Sequence, residues 1–170
     1  SIGLKPINNV VDITNLVMHE LGQPLHAYDF DKIKSGKIEI KKLKDNTVFK
    51  TLDKEEIKLT KNDLVICDGD VPMCIAGVYG GYNHSVSAQT KKIFLESAFF
   101  NPNSIRKTSK RHNINTDSSY RFERGVDIEM VEYALKRSAL LISESCNAEI
   151  ICDIIDEYPL KIEEKNIETK

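Results

Sequence analysis

Leu64-Val65-Ile66-Cys67-Asp68-Gly69-Asp70-Val71-Pro72-Met73-Cys74-Ile75-Ala76-Gly77-Val78 is the stretch that decides the fold. Leu64–Cys67 and Pro72–Val78 are continuous apolar runs, and Asp68-Gly69-Asp70 supplies a polar turn between them. Such short runs, bounded by turn residues, predict central strands buried on both sides. Gly80-Gly81 closes the second run, where the backbone must turn or approach another group closely.

Upstream, Ile38-Glu39-Ile40-Lys41, Thr47-Val48-Phe49-Lys50 and Glu56-Ile57-Lys58-Leu59 alternate apolar and polar residues, the pattern of antiparallel strands with one wet face. Downstream, Lys92–Ala98 reads as a further strand, with the carboxylate of Glu96 among apolar neighbours. Helices flank these strands. Val10, Val11, Leu16, Val17, Met18 and Leu21 recur at near-helical spacing from Asn8 to Leu21, and Gly22 offers a stop. Asn101-Pro102 opens a short basic helix to His112. From Asp127, as N-cap, the stripe Val131, Leu135, Ala139 and Ile142 predicts an amphipathic helix ending near Cys146-Asn147. Ala148–Ile155 returns to strand character, and Gln23–Asp29, opening with Pro24, reads as an irregular connection that places His26 on a loop. Antiparallel strands with two substantial helices give an α+β fold.

The 170 residues, 41% hydrophobic and 29% charged, fit one globular domain with a continuous core. We place the domain at 1–157, with 158–170 a charged linker. The absence of an initial Met suggests a fragment of a longer protein. A formal charge of -2 gives no global field that would attract nucleic acid or an anionic membrane, so any RNA contact must use a local patch. No apolar run is long enough to span a bilayer, no secretion signal is visible, and a cytoplasmic protein is expected. Cys67, Cys74, Cys146 and Cys152 form no C-x-x-C pair and read as buried free thiols rather than metal ligands.

Thr116-Asp117-Ser118-Ser119-Tyr120-Arg121-Phe122-Glu123-Arg124-Gly125-Val126-Asp127 packs hydroxyls, carboxylates and guanidiniums into one run. It is either a hydrogen-bonded loop stitching two layers together or a polar network bordering a cleft. This run is the last of five patches. The others are Pro6-Ile7-Asn8-Asn9-Val10-Val11-Asp12-Ile13-Thr14-Asn15, Gly22-Gln23-Pro24-Leu25-His26-Ala27-Tyr28-Asp29, Ala76-Gly77-Val78-Tyr79-Gly80-Gly81 and Leu95-Glu96-Ser97-Ala98-Phe99-Phe100. In this order, from Ser1 to about Ile155, they resemble the editing domain of the β subunit of bacterial phenylalanyl-tRNA synthetases. Asn113 stands where that family usually has Gly, Lys54 replaces a hairpin residue, and Ser118 occupies a position that is Ala in some members.

The resemblance implies a three-layer β/β/α sandwich with mixed, largely antiparallel sheets. It also implies hydrolysis of tyrosine wrongly attached to tRNA(Phe). A phenylalanine pocket rejects an added hydroxyl by only about a hundredfold, whereas a site that hydrogen-bonds that hydroxyl rejects its absence by roughly 10⁴ or more. By the same resemblance Glu96 would bind the phenol and His26 would orient or deprotonate the attacking water. Gly80, Ala76 and Gly77 would form the pocket floor, with Pro24 beside them. Thr14 and Asn15, at the end of the first helix, would hold the aminoacyl or adenosine end. Thr116 and Ser118 would line the opposite wall, held by an ion-pair network of Arg121, Glu123 and Arg124. Ester hydrolysis needs no metal or other cofactor in this fragment. ATP and Mg²⁺ would serve the full-length synthetase, an α2β2 enzyme whose β subunit pairs with an α subunit.

The residues alone leave blander readings open. His26 could be a structural histidine bonded to Asp29, Glu96 could pair with Arg121 or Arg124, and Thr14 could back-bond its own helix. Arg106, Lys107, Lys110 and Arg111 form either an RNA-contacting face or a solvated one. His19, His84 and His112 receive no role. Competing functions are a non-catalytic module that places tRNA and a free-standing deacylase.

Overall fold

A computed structural model describes residues 5–157 and Pro159. In chain order its elements are α1 (Asn9–Leu21), β1 (Leu25–Asp29), β2 (Ile38–Lys42), β3 (Val48–Lys50), β4 (Glu56–Lys58), β5 (Leu64–Asp68), β6 (Val71–Ile75), β7 (Tyr79–Gly80), β8 (Ile93–Ser97), α2 (Pro102–His112), α3 (Asp117–Phe122) and α4 (Met130–Cys146). The fold is α+β. β2-β5-β6-β7 form one sheet, while β1 pairs with β8 and β3 with β4. Every pairing is antiparallel among the described residues, so the sheets are not mixed.

The β1–β8 ribbon is the middle layer, and strand alternation shows why. Leu25, Ile93 and Leu95 lie on one face, against Ile13 and Val17 of α1 and Ala134 and Ile142 of α4. Tyr28 and Phe94 lie on the other face, in the core shared with Ile66, Met73 and Ile75 of the larger sheet. The partners His26 and Glu96 share this second face. Two ionisable groups thus point between two sheets.

The predicted central strands hold, with a refinement at Pro72. A register shift between Ile66 and Cys67 leaves Pro72 opposite Cys67. A residue without an N–H is tolerated at such an irregularity. α1 ends as expected, at Gly22 with φ 74°, after starting on Asn8, whose side chain accepts from Val11 N. α2 follows its prediction too, capped by Asn101 and closed by Asn113 at φ 53°, the left-handed backbone that Asn tolerates.

Several expectations are corrected. Gln23–Asp29 is no loop: Leu25–Asp29 is a strand. Pro24 sits just ahead of it, where a missing donor costs nothing, and Gln23 Nε2 bonds Ala98 O at 2.9 Å across the ribbon. Of the two readings of Gly80-Gly81, close approach holds and the turn does not: Gly80 ends β7 against His26, Gly81 bridges Thr51 and lies against Met73 O, and the chain turns at Gly77, φ 67°. Thr116–Asp127 contains the short helix α3, because Thr116 and Ser119 form a reciprocal capping box. α4 begins at Met130, since Asp127 Oδ1 accepts from Glu129 N and closes a turn before the helix. Ala148–Ile155 forms no strand; its apolar residues come in adjacent pairs, and Ile151 and Ile155 are 79% and 82% exposed. Cys67 and Cys74 are buried, but Cys146 and Cys152 are exposed. The reading of 158–170 as a linker lies outside the described residues, Pro159 apart.

Candidate active site

His26 on β1 and Glu96 on β8 are direct cross-strand partners, so pairing register alone sets them side by side on the face between the sheets. Tyr28, two residues along β1, shares that face. Its hydroxyl donates to Glu96 Oε2 at 2.7 Å, and its ring meets the His26 ring edge-on with centroids 4.5 Å apart. Tyr28 is inaccessible to solvent. His26 and Glu96 are densely surrounded by protein yet keep partial access to water. Glu96 Oε1 has no hydrogen-bond partner among the described residues, and neither has the His26 ring.

Burial sets the protonation of both groups. It lifts the Glu96 carboxyl to about 7, against the Tyr28 hydrogen bond that favours the charged form. It lowers the His26 imidazole to about 4. Near neutral pH His26 is therefore uncharged, and Glu96 is poised between acid and carboxylate. A neutral imidazole of such low basicity suits a hydrogen-bond acceptor that orients water better than a strong base. The Tyr28 phenol is raised well above its ordinary range, first by burial and then by Cys74 and Glu96, so it remains a donor.

Gly80 on β7 completes one side. A Cβ there would lie 2.6 Å from His26 Cε1 and 3.1 Å from Leu52 Cδ1, so the missing side chain is the space His26 occupies. From Val78, just before β7, the carbonyl accepts the Thr116 hydroxyl at 2.8 Å, tying the start of α3 to this strand. The same Thr116 oxygen accepts from Ser119 N at 3.0 Å, so its hydrogen bonds are already committed to structure. Ser118 faces α1, its hydroxyl 3.8 Å from Met18 Sδ.

The remaining predicted residues divide. Gly77 packs against the core: a Cβ on it would strike Phe100, Ile105 and Phe122. Ala76 is buried in that same core. Pro24 is buried at the foot of β1. Thr14 and Asn15 lie within α1 rather than at its end, and the buried Thr14 hydroxyl bonds Val11 O at 2.9 Å. Glu96 pairs with neither arginine. Arg121 reaches Asp117 and His19, while Arg124 bonds Glu123 and stacks 3.5 Å over the Tyr120 ring. Apart from the Arg121 contact with His19 of α1, these are local contacts around α3 rather than one network.

Sequence reasoning missed Tyr28 and Leu52. Tyr28 was legible in principle, because reading Leu25–Asp29 as a strand puts positions 26 and 28 on one face. Leu52 was not, since only the fold brings the β3–β4 hairpin over Gly80. No group of three His, Cys, Asp or Glu residues that could hold a metal ion occurs among the described residues, and no helix there is long and apolar enough to cross a membrane.

Residues 1–147 match the family model described as the B3/4 domain. The chain is 56% identical over 146 residues to the phenylalanine–tRNA ligase beta subunit of Porphyromonas gingivalis, which covers 85% of this chain and 18% of that protein. Its counterpart from Bacteroides fragilis is 49% identical over 155 residues, 91% of this chain and 19% of the relative. That of Salinibacter ruber is 47% identical over 167 residues, 98% of this chain and 20% of the relative. The chain thus spans about a fifth of the length of the curated relatives it matches. With the fold, the paired His26 and Glu96 and these similarities together, the chain belongs to the B3/4 domain family, in the form carried by phenylalanine–tRNA ligase beta subunits.

Proposed function

We propose that this domain hydrolyses the ester that joins a wrongly attached tyrosine to tRNA(Phe), within a ligase that attaches phenylalanine to the same tRNA. The observation that carries the reading is the carboxyl of Glu96 on an interior face. One oxygen there already accepts a phenol, and the other has no partner among the described residues. A substrate tyrosine would place its hydroxyl on Oε1, whereas phenylalanine would leave that oxygen desolvated and unpaired. Such a difference is worth roughly 10⁴-fold or more in selectivity. Neutral His26 would accept a hydrogen bond from the water that adds to the ester carbonyl. As the tetrahedral intermediate collapses, the ester C–O bond breaks, the water's proton passes to the departing ribose oxygen, and free tyrosine and uncharged tRNA leave.

The longer protein would act in the cytoplasm with an α subunit, and ATP and Mg²⁺ would serve its aminoacylation site; no residue of this chain is assigned to them. Clearance of tyrosyl-tRNA(Phe) by the intact ligase, compared with its Glu96→Ala and His26→Ala variants, tests the reading. Loss of clearance with retained phenylalanylation supports it. Undiminished clearance by both variants sinks the site assignment, and unchanged clearance with weaker tRNA binding would favour a module that only places tRNA.

A further inference from the structure

A cleft of about 440 Å³ lies between the end of β2, the turn before β5 and the first turns of α2. None of the candidate active-site residues lines it. Lys42, Lys107 and Arg111 do, together with Asn62, Asn101, Asn103 and Ser104, and no carboxylate is among the lining residues. In a chain of formal charge -2, a recess with three cations and no acid is a local reversal of sign. The buried Asp63 is turned inward, where Arg111, His112 and Thr60 hold it, so Arg111 is partly neutralised and Lys42 and Lys107 carry the field.

The structure also sorts the basic residues of α2. Lys107 and Arg111, one helical turn apart, face the cleft, whereas Arg106 turns away to bond Glu123 O at 3.3 Å. The Asn101 carbonyl oxygen caps Asn103 N and Ser104 N, so its amide N–H₂ is left as a donor beside the lysines. Cations from two separate elements plus amide donors, in a recess sized for a nucleotide rather than a lone ion, match the chemistry of phosphate and ribose. A membrane surface would call for apolar residues at the rim, and the lining has none.

We propose that this cleft binds a phosphodiester segment of the RNA backbone. The identification of that RNA as tRNA rests on the proposed function; the cleft itself rests on its own geometry. Lys42 and Lys107 each neutralise one phosphate and release its counterions.

The test is binding of uncharged tRNA(Phe) by the intact ligase across a series of salt concentrations. The Lys42→Ala/Lys107→Ala variant is compared with wild type and with a Lys91→Ala control in the exposed loop before β8. Arg111 is left alone because it holds Asp63. Two lost phosphate contacts should lower the slope of log K against log salt by about 1.4–1.8 and weaken binding roughly tenfold or more near 0.1 M salt. The control should change neither, and all three proteins should unfold at the same temperature. An unchanged slope overturns the proposal. Calorimetric titration with inorganic phosphate separates the sources: phosphate binding lost in the double variant, with the tRNA slope intact, would assign the cleft to a free anion and overturn the RNA assignment. Because no ester is hydrolysed in this experiment, its failure is distinct from failure of the His26 and Glu96 reading.

Discussion

Tyr28 donates its phenolic hydroxyl to Glu96 Oε2 at 2.7 Å, so the chain itself supplies the carboxyl with a phenol of the kind the proposed substrate would bring. The bond occupies one carboxyl oxygen and favours the ionised form against burial, and with both acting the carboxyl stands near 7. Tyr28→Phe removes that stabilisation, and a hydrogen bond to a charged group is worth about 1.5 kcal/mol or more. If ionised Glu96 accepts the substrate hydroxyl, kcat/KM for tyrosyl-tRNA(Phe) rises with pH through a limb near 7. The variant should move that limb upward by about one pH unit. A limb in the same place would show that Tyr28 does not tune Glu96.

His26 and Glu96 should also oppose each other in stability. Glu96 is raised from 4.5 to about 7, so the folded state holds a proton the unfolded chain has lost, and stability falls as pH rises from about 4.5 to 7. His26 is lowered from 6.5 to about 4, so the unfolded chain holds the extra proton, and stability rises as pH rises from about 4 to 6.5. Between pH 4.5 and 6.5 the two slopes cancel. Glu96→Gln should unmask the His26 slope and His26→Ala the Glu96 slope, each amounting to at most ~3 kcal/mol across its window. Denaturant unfolding at a series of pH values reads this directly. Parallel pH profiles for wild type and both variants would refute the opposed shifts.

The legible parts of the fold were those decided locally. Gly22, Asn101 and Asn113 punctuate helices through backbone chemistry carried by single residues, and the apolar runs around Asp68-Gly69-Asp70 announce strands whatever they pair with. β1 was illegible because its five residues after a proline carry a weak alternation, and only pairing with β8 makes them a strand. Glu96 stood out as a carboxylate in an apolar run, and His26 by family resemblance. That they face each other is a property of register, which neither strand contains alone. Gly77 and Gly80 read alike in sequence, yet one clears space for the core and the other for His26.

Asp63 is fully buried, and Thr108, Arg111 and His112 of α2 bond it, with His112 Nε2 2.7 Å from Oδ2. It also accepts from Thr60 N at 2.8 Å, so this one carboxylate fastens the turn before β5 to the helix that bounds the basic cleft. Burial pushes its pKa up, but the hydrogen bonds from His112 and Thr60 outweigh that and hold it below its ordinary value of 3.8. The stabilisation is therefore present above pH 4 and lost as pH falls below it. Asp63→Ala would leave a half-buried guanidinium and the imidazole without their partner, at a cost of about 3 kcal/mol. Thermal unfolding at pH 7 measures it. A loss below 1 kcal/mol would mean that solvent replaces the carboxylate without difficulty.

Gly77 and Gly80 give a paired test of what space is for. At Gly77, φ is 67° and a Cβ would lie 2.8 Å from Phe100, 2.9 Å from Ile105 and 3.0 Å from Phe122. Phe100 and Phe122 are themselves packed edge-to-face with centroids 5.1 Å apart, so neither can yield without disturbing the other. Gly77→Ala combines left-handed strain with overpacking and should destabilise the domain by about 2–4 kcal/mol, whatever happens at His26. Gly80 lies on an ordinary strand backbone, and its added methyl would meet the His26 ring and Leu52 Cδ1, side-chain ends rather than backbone, with His26 only partly buried. Gly80→Ala should therefore cost only about 1 kcal/mol in stability. It should nonetheless lower tyrosyl-tRNA(Phe) hydrolysis at least tenfold, because a ring displaced by even an ångström no longer meets the attacking water in line. Equal losses of stability in the two variants would mean that both glycines clear space for the core, and full hydrolysis by a stable Gly80→Ala protein would mean that the position of the His26 ring has no bearing on the chemistry.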